Sequence, residues 1–190
     1  MIILNDFNTS VEKALTEIEP RWKELPGIIV CGTHKPIPEK IDDFLTDIKM
    51  ARENNIPFLG ICFGMQLMAI EYAKNVLNIE NATSEEFGTG TLIVKKMPGL
   101  RVGMIPAVVN KTLSAESFWH LYRVDIDLIL TKDEWDFGEA NEVVTWMKLD
   151  NHPYFVGVQF HPEYQSSKEK PHPLLTEFIN HCEQYEASKS

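Results

Sequence analysis

Apolar residues fall into short runs and helical stripes that alternate along the first 77 residues of the chain. Runs at 1–4, 27–32 and 57–61 have the length and the flanking turn residues of buried strands. Stripes with helical spacing follow each run, at 9–20, 41–54 and 66–77. Strands that alternate with helices predict a parallel sheet with crossover helices. Functional sites in such sheets lie at the carboxyl ends of the strands.

The rest of the chain is expected to form short strands joined by turns. These are predicted at 91–96, 101–109, 124–131, 143–149 and 154–160. The polar stretch 78–90 and the carboxylates around Trp135 are expected to be loops, and 173–185 to be a helix. The chain has 190 residues and no internal repeat or convincing linker. It therefore predicts one α/β domain over 1–190, with a mostly parallel central sheet flanked by helices.

Charge and cysteine content narrow the range of partners and compartments. The net charge is −10 and no basic cluster is present, which argues against nucleic acid or an anionic membrane as partner. Three widely spaced cysteines indicate a reducing compartment rather than a disulfide framework. The first residues lack the basic start of a signal peptide, and no apolar run is long enough to span a bilayer, so a cytoplasmic location is expected. The cysteines and histidines lack paired ligand spacing, and neither a metal nor a cofactor is expected.

A G-x-C-x-G motif at 60–64 joins the third predicted strand to the third predicted helix. It corresponds to the G-x-S-x-G turn that presents a serine nucleophile in other enzymes. Both motifs need flanking glycines because a sharp strand-to-helix turn leaves no room for side chains beside the nucleophile. The turn places Cys62 at a helix N-terminus, where unpaired N–H groups and the helix dipole favour a thiolate. The motif alone leaves a second interpretation open, since most free cysteines are small buried hydrophobic residues.

A His-Pro-Glu segment directly after the last predicted strand favours the interpretation of Cys62 as a nucleophile over that of a buried structural residue. Pro162 disfavours helical geometry at His161 and keeps the segment extended, so His161 and Glu163 are expected to share a face. A histidine that takes the thiol proton and a carboxylate that orients the histidine complete a triad. The sequence therefore predicts Cys62, His161 and Glu163 as the catalytic residues.

Together the two motifs resemble the triad-type, or class I, glutamine amidotransferases. Within that family the segments 56–66, 71–77 and 152–164 are most similar to the glutaminase domain of CTP synthase, and 100–103 is similar more weakly. The resemblance runs from about residue 27 to the C-terminal helix. It implies a flavodoxin-like fold with a mostly parallel sheet, and release of ammonia from glutamine through a thioester.

The tetrahedral intermediate of such a reaction needs an oxyanion hole. The backbone N–H of Phe63, directly after the nucleophile, is one expected donor. The resemblance implies a second donor at the end of the second strand, where the family carries Pro-Gly-Gly and this chain carries Cys-Gly-Thr. Gly32 is thus retained and Thr33 replaces the second glycine. If the family turn needs a positive φ there, Thr33 would be strained.

The resemblance also implies three substrate contacts. Gln66 matches a pocket glutamine, with a local role at the helix start as the alternative. Glu86 matches the glutamate that meets the α-ammonium of the substrate, with a solvated loop charge as the alternative. The family arginine that holds the α-carboxylate matches Leu121 in this chain. Arg123 would share a strand face with Leu121 and is a candidate to substitute, while His120 is either a substrate contact or a structural residue.

Three hypotheses follow. The first is a stand-alone glutamine amidotransferase-like amidohydrolase, with any ammonia-accepting synthetase as a separate protein. The second is a hydrolase of a different amide or γ-glutamyl compound, because of Leu121 and Thr33. The third is an inactive binding or regulatory module that keeps the fold, and retention of Cys62, His161 and Glu163 together weighs against it. In each case the partner is a small-molecule amide such as glutamine, rather than a nucleic acid or a membrane.

Overall fold

The computed structural model describes residues 2–4, 9–33, 38–129 and 134–189. Nine strands can be assigned in these ranges: β1 (Ile2–Leu4), β2 (Ile28–Val30), β3 (Phe58–Ile61), β4 (Ala82–Ser84), β5 (Thr91–Val109), β6 (Thr112–Val124), β7 (Trp135–Ala140), β8 (Val143–Leu149) and β9 (Phe155–Val158). Four α-helices accompany them: α1 (Thr9–Ile18), α2 (Ile41–Glu53), α3 (Phe63–Asn75) and α4 (Pro173–Lys189). Short 3₁₀ turns lie at Pro38–Lys40, Ile126–Leu128 and Pro162–Gln165.

Six strands form the central sheet in the order β1-β2-β3-β9-β8-β7. The pairs β1–β2, β2–β3 and β3–β9 are parallel, while β8 and β7 extend the sheet antiparallel. β3 and β9 are neighbours in register, with Ile61 opposite Val158. Their carboxyl ends therefore meet at one edge, where β3 is followed by Cys62 and β9 leads to His161. This arrangement confirms the predicted α/β fold with a mostly parallel sheet.

Helices cover both faces of the central sheet. α2 and α3 pack into one hydrophobic core through side chains such as Phe44 and Leu67, and α1 and α4 pack into a second core through side chains such as Leu15 and Phe178. α3 is buried on all sides over its first eleven residues. A helix without a polar face must lie inside the protein, as the sequence predicts.

A second sheet is built from β4, β5 and β6. β5 and β6 form a long antiparallel hairpin, closed by Asn110 and Lys111, which both have positive φ angles of 46° and 63°. That conformation matches the twist of the paired strands in a two-residue hairpin turn. The hairpin contributes Val94 and Val124 to the first core and Phe118 to the second. It therefore belongs to the body of the domain.

Three sequence expectations need correction. The strand predicted at 124–131 is wrong, because β6 ends at Val124 and a 3₁₀ turn follows; residues 130 and 131 lie outside the described ranges. The loop predicted at 78–90 contains β4, which lies parallel to the start of β5. The loop expected around Trp135 is instead the start of β7, and Glu134 accepts a hydrogen bond from the Tyr72 hydroxyl.

Among the described residues, none of the helices combines the length and the apolar character needed to cross a bilayer.

Candidate active site

Cys62 occupies a strained position between β3 and α3. Its φ and ψ angles are 53° and −101°, a region that residues other than glycine rarely occupy. The flanking glycines allow this turn because of how closely the backbone folds. A Cβ on Gly60 would lie 2.7 Å from the carbonyl carbon of Gly64, and one on Gly64 would lie 2.0 Å from the carbonyl oxygen of Val30. The local geometry is thus that of the nucleophile turn predicted from the motif.

His161 and Glu163 lie beside Cys62, at the 3₁₀ turn that follows β9. The Nδ1 atom of His161 is 2.8 Å from Oε1 of Glu163, and Cys62 lines the same small pocket as these two residues. All three side chains are at least nine-tenths buried. The structure therefore brings together the three residues that the sequence predicted as a triad, in the order nucleophile, histidine, carboxylate.

Three contacts fix the orientation of the His161 ring. The backbone N–H of His161 donates to the carbonyl of Ser117 on β6 at 2.8 Å, and Tyr164 stacks on the ring with centroids 4.8 Å apart. Gly32 also borders the ring, where an added Cβ would lie 2.7 Å from Cε1 of His161. Gly32 is thus needed for space, since φ at this position is not positive.

The electrostatics of the site favour a protonated His161. Burial by itself would lower the pKa of His161, but hydrogen bonds and charge interactions with Cys62 and Glu163 outweigh burial and raise the pKa to about 10. At neutral pH the ring is therefore an imidazolium next to both Cys62 and Glu163. Contact with a charged histidine is a general feature of reactive cysteines.

Gln159 is a contact of Cys62 to which sequence reasoning gave no role. It is fully buried, and its Nε2 lies 3.6 Å from Cys62 Sγ. Its Oε1 is 3.4 Å from Nε2 of Gln66, which also donates to the carbonyl of Tyr122 at 3.2 Å. The two amides thus link the nucleophile to α3 and β6. The available signal was a lone amide inside the otherwise apolar run 154–160.

A cavity of about 200 Å³ opens beside Cys62. Predicted residues Phe63, Gln66 and Glu86 line it, as does Thr33, while Gly32 borders a smaller adjoining pocket next to His161 and Glu163. Phe63 is the first residue of α3, so its N–H belongs to the helix-start groups without an intrahelical partner. The oxyanion and substrate roles of these residues remain predictions.

Glu86 is partly buried, and burial raises the pKa of its carboxyl above the ordinary range. A desolvated carboxylate is stabilised by a cation placed against it. The strain foreseen at Thr33 is absent, because Thr33 is not among the described non-glycine residues with positive φ.

The β6 segment 119–122 forms the opposite wall of the cavity. The carbonyl oxygen of Trp119 lies 3.7 Å from Cys62 Sγ. Nδ1 of His120 is 2.9 Å from the carbonyl of Tyr122, so Nδ1 carries the proton, and Nε2 is buried without a hydrogen-bond partner among the described residues. Burial lowers the pKa of His120 to about 4, so its neutral ring offers Nε2 as an acceptor at the cavity wall.

Arg123 does not line the cavity, so the structure does not support this candidate as a substitute for the missing arginine. Leu121 lines the cavity, but the guanidinium of Arg123 donates to the carbonyl of Glu142 and lies with Lys95 and Arg101 in a separate surface cavity. The Arg123 guanidinium is thus held by the β7–β8 turn, away from the cavity beside Cys62. The shared strand face did not bring the side chain to the site.

The other two cysteines lie in different surroundings. Cys31 and Cys182 are fully buried, and burial raises the pKa of both thiols, that of Cys182 to about 12.

Within the described ranges, no group of three or more His, Cys, Asp and Glu side chains is arranged to hold a metal ion.

The profile of the family described as glutamine amidotransferase class-I matches residues 4–181. The chain belongs to this family of proteins. Its curated relatives include the CTP synthases of Pelagibacter ubique and Treponema denticola, 34% and 36% identical over 202 and 184 aligned residues. The alignments cover 87% and 83% of this chain but 37% and 34% of those relatives. The chain thus spans little more than a third of their length.

Solved structures agree on the fold. The glutaminase domain of Trypanosoma brucei CTPS with bound acivicin superposes with a TM-score of 0.82 at 21% identity, covering 96% of this chain and 92% of that one. A putative GMP synthase protein from Thermoplasma acidophilum superposes with a TM-score of 0.68 at 19% identity, covering 99% and 96%. The fold and the family are therefore those of a CTP synthase-like class I glutamine amidotransferase domain.

Proposed function

We propose that this protein hydrolyses the side-chain amide of a glutamine-type substrate through a thioester on Cys62. The observation that carries the proposal is the position of Cys62. It occupies a strained turn at the start of α3 and lines one small pocket with His161, whose ring Glu163 holds at 2.8 Å. Membership of the class I glutamine amidotransferases supports glutamine as the parent substrate.

In the first half of the proposed reaction, the Cys62 thiolate attacks the amide carbonyl carbon. The carbonyl electrons move onto oxygen, and helix-start N–H groups such as that of Phe63 stabilise the oxyanion. The His161 imidazolium then donates its proton to the amide nitrogen. The C–N bond breaks, ammonia leaves, and the acyl group stays on sulfur as a thioester.

In the second half, His161 is neutral and accepts a proton from an attacking water. The hydroxide adds to the thioester carbonyl, the C–S bond breaks, and the carboxylic acid leaves with Cys62 again a thiolate beside the imidazolium. Glu163 keeps its contact with Nδ1 of His161 throughout and stabilises the ring when it is charged. No further oxidant, reductant or cofactor is needed for this balance.

We further propose an ammonia-accepting synthetase as the partner. The relatives named CTP synthase extend well beyond the matched segment, which is 37% and 34% of their length, and this supports a second activity that works with this kind of domain. In this role the ammonia released at Cys62 would be the product that matters, and the acid would be the by-product.

The experiment is steady-state ammonia release from L-glutamine and from glutaminyl peptides, comparing the unmodified protein with Cys62→Ala. Cys182→Ala is the matched control, since it removes another buried thiol elsewhere. The proposal expects Cys62→Ala to abolish release, by at least about a hundredfold, and Cys182→Ala to retain it. Release that survives in folded Cys62→Ala, or no release from either kind of amide, would exclude the thioester route and favour an inactive module.

A further inference from the structure

The cavity beside Cys62 has an uneven charge distribution. Among the described residues that line it, Glu86 is the one carboxylate, and none is a lysine or an arginine. His120, the other titratable group of the wall besides Tyr122, is neutral because burial lowers its pKa to about 4. The remaining walls are largely aromatic or apolar, with Phe63, Trp119 and Leu121 among them.

Glu86 lacks a charge partner within the described part of the chain. Its carboxylate takes part in none of the salt bridges found there. Burial is the cause of its raised pKa, with no compensating cation. A half-buried carboxylate that faces a cavity with aromatic walls favours a ligand ammonium, through charge and through the ring faces.

A free carboxylate on the ligand would find no cationic partner among the described residues that line the cavity. Leu121 offers apolar surface, and no described lysine or arginine lines the cavity. Arg123 donates to the Glu142 carbonyl, and Nη2 of Arg101 donates to the Asn141 carbonyl at 3.3 Å. Nη1 of Arg101 is buried without a hydrogen-bond partner among the described residues, but Arg101 lies outside the cavity lining. A carboxylate moved from water into this cavity would lose hydration without gaining an ion pair, which costs binding free energy.

Resting on the proposed function, we infer that the substrate is the N-terminal glutaminyl residue of a peptide. Its side-chain amide meets Cys62, its free α-ammonium meets Glu86, and its α-carbonyl is part of a peptide bond that lies beside Leu121 without charge. The reaction is the one given above: water replaces the side-chain amide nitrogen, and a glutamyl peptide and ammonia are released.

The surface outside the cavity gives the rest of the peptide a place to lie. Leu100, Val102, Met104 and Trp119 are 54%, 51%, 59% and 49% exposed, which is unusual for large apolar side chains. Val102 and Trp119 are opposite each other in the β5–β6 register, and Leu100 and Trp119 also line the cavity. This apolar strip is therefore continuous with the substrate pocket, and residues after the glutamine can cover it.

The test compares three substrates: L-glutamine, the dipeptide Gln-Leu, and N-acetyl-Gln-Leu. Ammonia release is measured, and product mass separates the glutamyl peptide from the pyroglutamyl peptide that forms by spontaneous cyclisation. The inference expects kcat/KM for Gln-Leu to exceed that for L-glutamine by at least about tenfold, equivalent to about 1.4 kcal/mol. N-acetylation, which removes the ammonium, should cause a similar loss.

Two variants, at Glu86 and Leu121, and one control test which residues cause these substrate preferences. Glu86→Gln should remove most of the difference between Gln-Leu and its N-acetyl form, while Glu85→Gln, whose carboxylate accepts the Lys96 N–H outside the cavity, should retain it. Leu121→Arg should shift the preference toward L-glutamine. An unchanged ratio in Glu86→Gln or in Leu121→Arg would contradict the inference.

A preference of the unmodified protein for L-glutamine would also overturn the inference, while leaving the proposed thioester reaction intact. In that case loss of L-glutamine turnover in Arg101→Gln would identify Arg101 as the carboxylate partner. Failure of all three substrates with folded protein would instead count against the proposed function itself.

Discussion

The backbone of Cys62 carries strain that its surroundings must offset. A non-glycine residue held in such a positive-φ conformation costs on the order of 1–3 kcal/mol. Two backbone hydrogen bonds oppose that cost, from the Cys62 N–H to the Val158 carbonyl at 2.7 Å and from the Gln66 N–H to the Cys62 carbonyl at 3.3 Å. Backbone strain of this kind concentrates at residues with a chemical role.

The thiols should therefore differ strongly in reactivity. Iodoacetamide near neutral pH is expected to alkylate Cys62 much faster than Cys31 or Cys182. Cys62 lies at a helix start beside the charged His161 ring, while burial raises the pKa of the other two thiols. Peptide mapping by mass spectrometry at short reaction times gives the three rates. Equal rates in the folded protein would remove Cys62 from the role of nucleophile.

Glu163 should support turnover rather than folding. Glu163→Gln is expected to lower the pKa of His161, since the neutral amide cannot balance the imidazolium, and to reduce ammonia release by at least about a hundredfold. The pH–rate profile of alkylation at Cys62 reports the apparent pKa values of the coupled Cys62–His161 pair, which this variant should shift. Glu169→Gln, at an exposed position, is the control. Turnover in Glu163→Gln equal to that of the control would exclude Glu163 from the mechanism.

The residues of the site differ in how far the sequence alone could indicate them. Cys62, His161 and Glu163 are marked by short motifs at the ends of apolar runs, so their neighbourhood follows once β3 and β9 are placed side by side. Gln159 and the Trp119 carbonyl contact Cys62 through tertiary structure, from another strand and from the hairpin. No local spacing encodes such contacts, and Arg123 shows that sharing a strand face with Leu121 does not place a side chain in the cavity.

At the scale of elements, the β5–β6 hairpin completes a site that the central sheet begins. The sheet supplies Cys62 and His161 from adjacent strand ends, and β6 supplies the cavity wall and the Ser117 carbonyl that holds the His161 backbone. A second set of hydrogen bonds connects the hairpin to the segment after β9: Glu116 on β6 hydrogen-bonds Gln165 and His172. The position of His161 thus depends on both sheets.

The long hairpin was only partly predictable. Its closing residues, Asn110 and Lys111, are not the Asn-Gly pair that signals such a turn, although both have positive φ. β5 was predicted as two strands because Pro98 and Gly99 interrupt its pattern, and the pairing indeed shifts in register between Lys96 and Arg101. The parallel strands of the first half were predictable because both of their faces are buried, which gives continuous apolar runs.

The close packing of α3 against β3 gives a test at this scale. Gly60→Ala is expected to destabilise the protein by about 1–3 kcal/mol, because the new Cβ would meet backbone atoms of Gly64 and Met65 at 2.7–2.8 Å. Gly99→Ala is the matched control, because its new Cβ would have no heavy atom within 4 Å, and it should change stability by less than about 0.5 kcal/mol. Urea denaturation measures both. Similar stability for the two variants would show that the turn is looser than described.

For the molecule as a whole, buried histidines predict a dependence of stability on pH. Burial lowers the pKa of His120 to about 4 and also lowers the pKa of His152, whose ring lies between the Ala51 carbonyl and the Tyr154 N–H. The unfolded chain, with ordinary histidine pKa values of about 6.5, then binds more protons than the native state below that pH. Acidification should therefore destabilise the fold.

The expected loss from His120 alone is about 2 kcal/mol between pH 7 and pH 5, from at most about 1.4 kcal/mol per pH unit. His161 acts with the opposite sign: its pKa of about 10 contributes stability that is complete below about 6.5 and is lost as the pH rises toward 10. Urea denaturation between pH 5 and pH 10 measures both changes in stability, the loss on acidification and the loss as the pH rises. A His120→Asn variant whose stability falls as steeply on acidification as that of the unmodified protein would contradict this assignment.

The central claim is that Cys62 is a nucleophile that attacks a glutamine-type carbonyl. The most direct measurement is the intact mass of the folded protein after incubation with a chloroketone analogue of glutamine, prepared both with a free and with an amidated α-carboxylate. We expect one adduct per chain, mapped to Cys62. It should form faster with the amidated analogue and be absent in Cys62→Ala. An adduct on Cys31 or Cys182, or no adduct with either analogue, would contradict it.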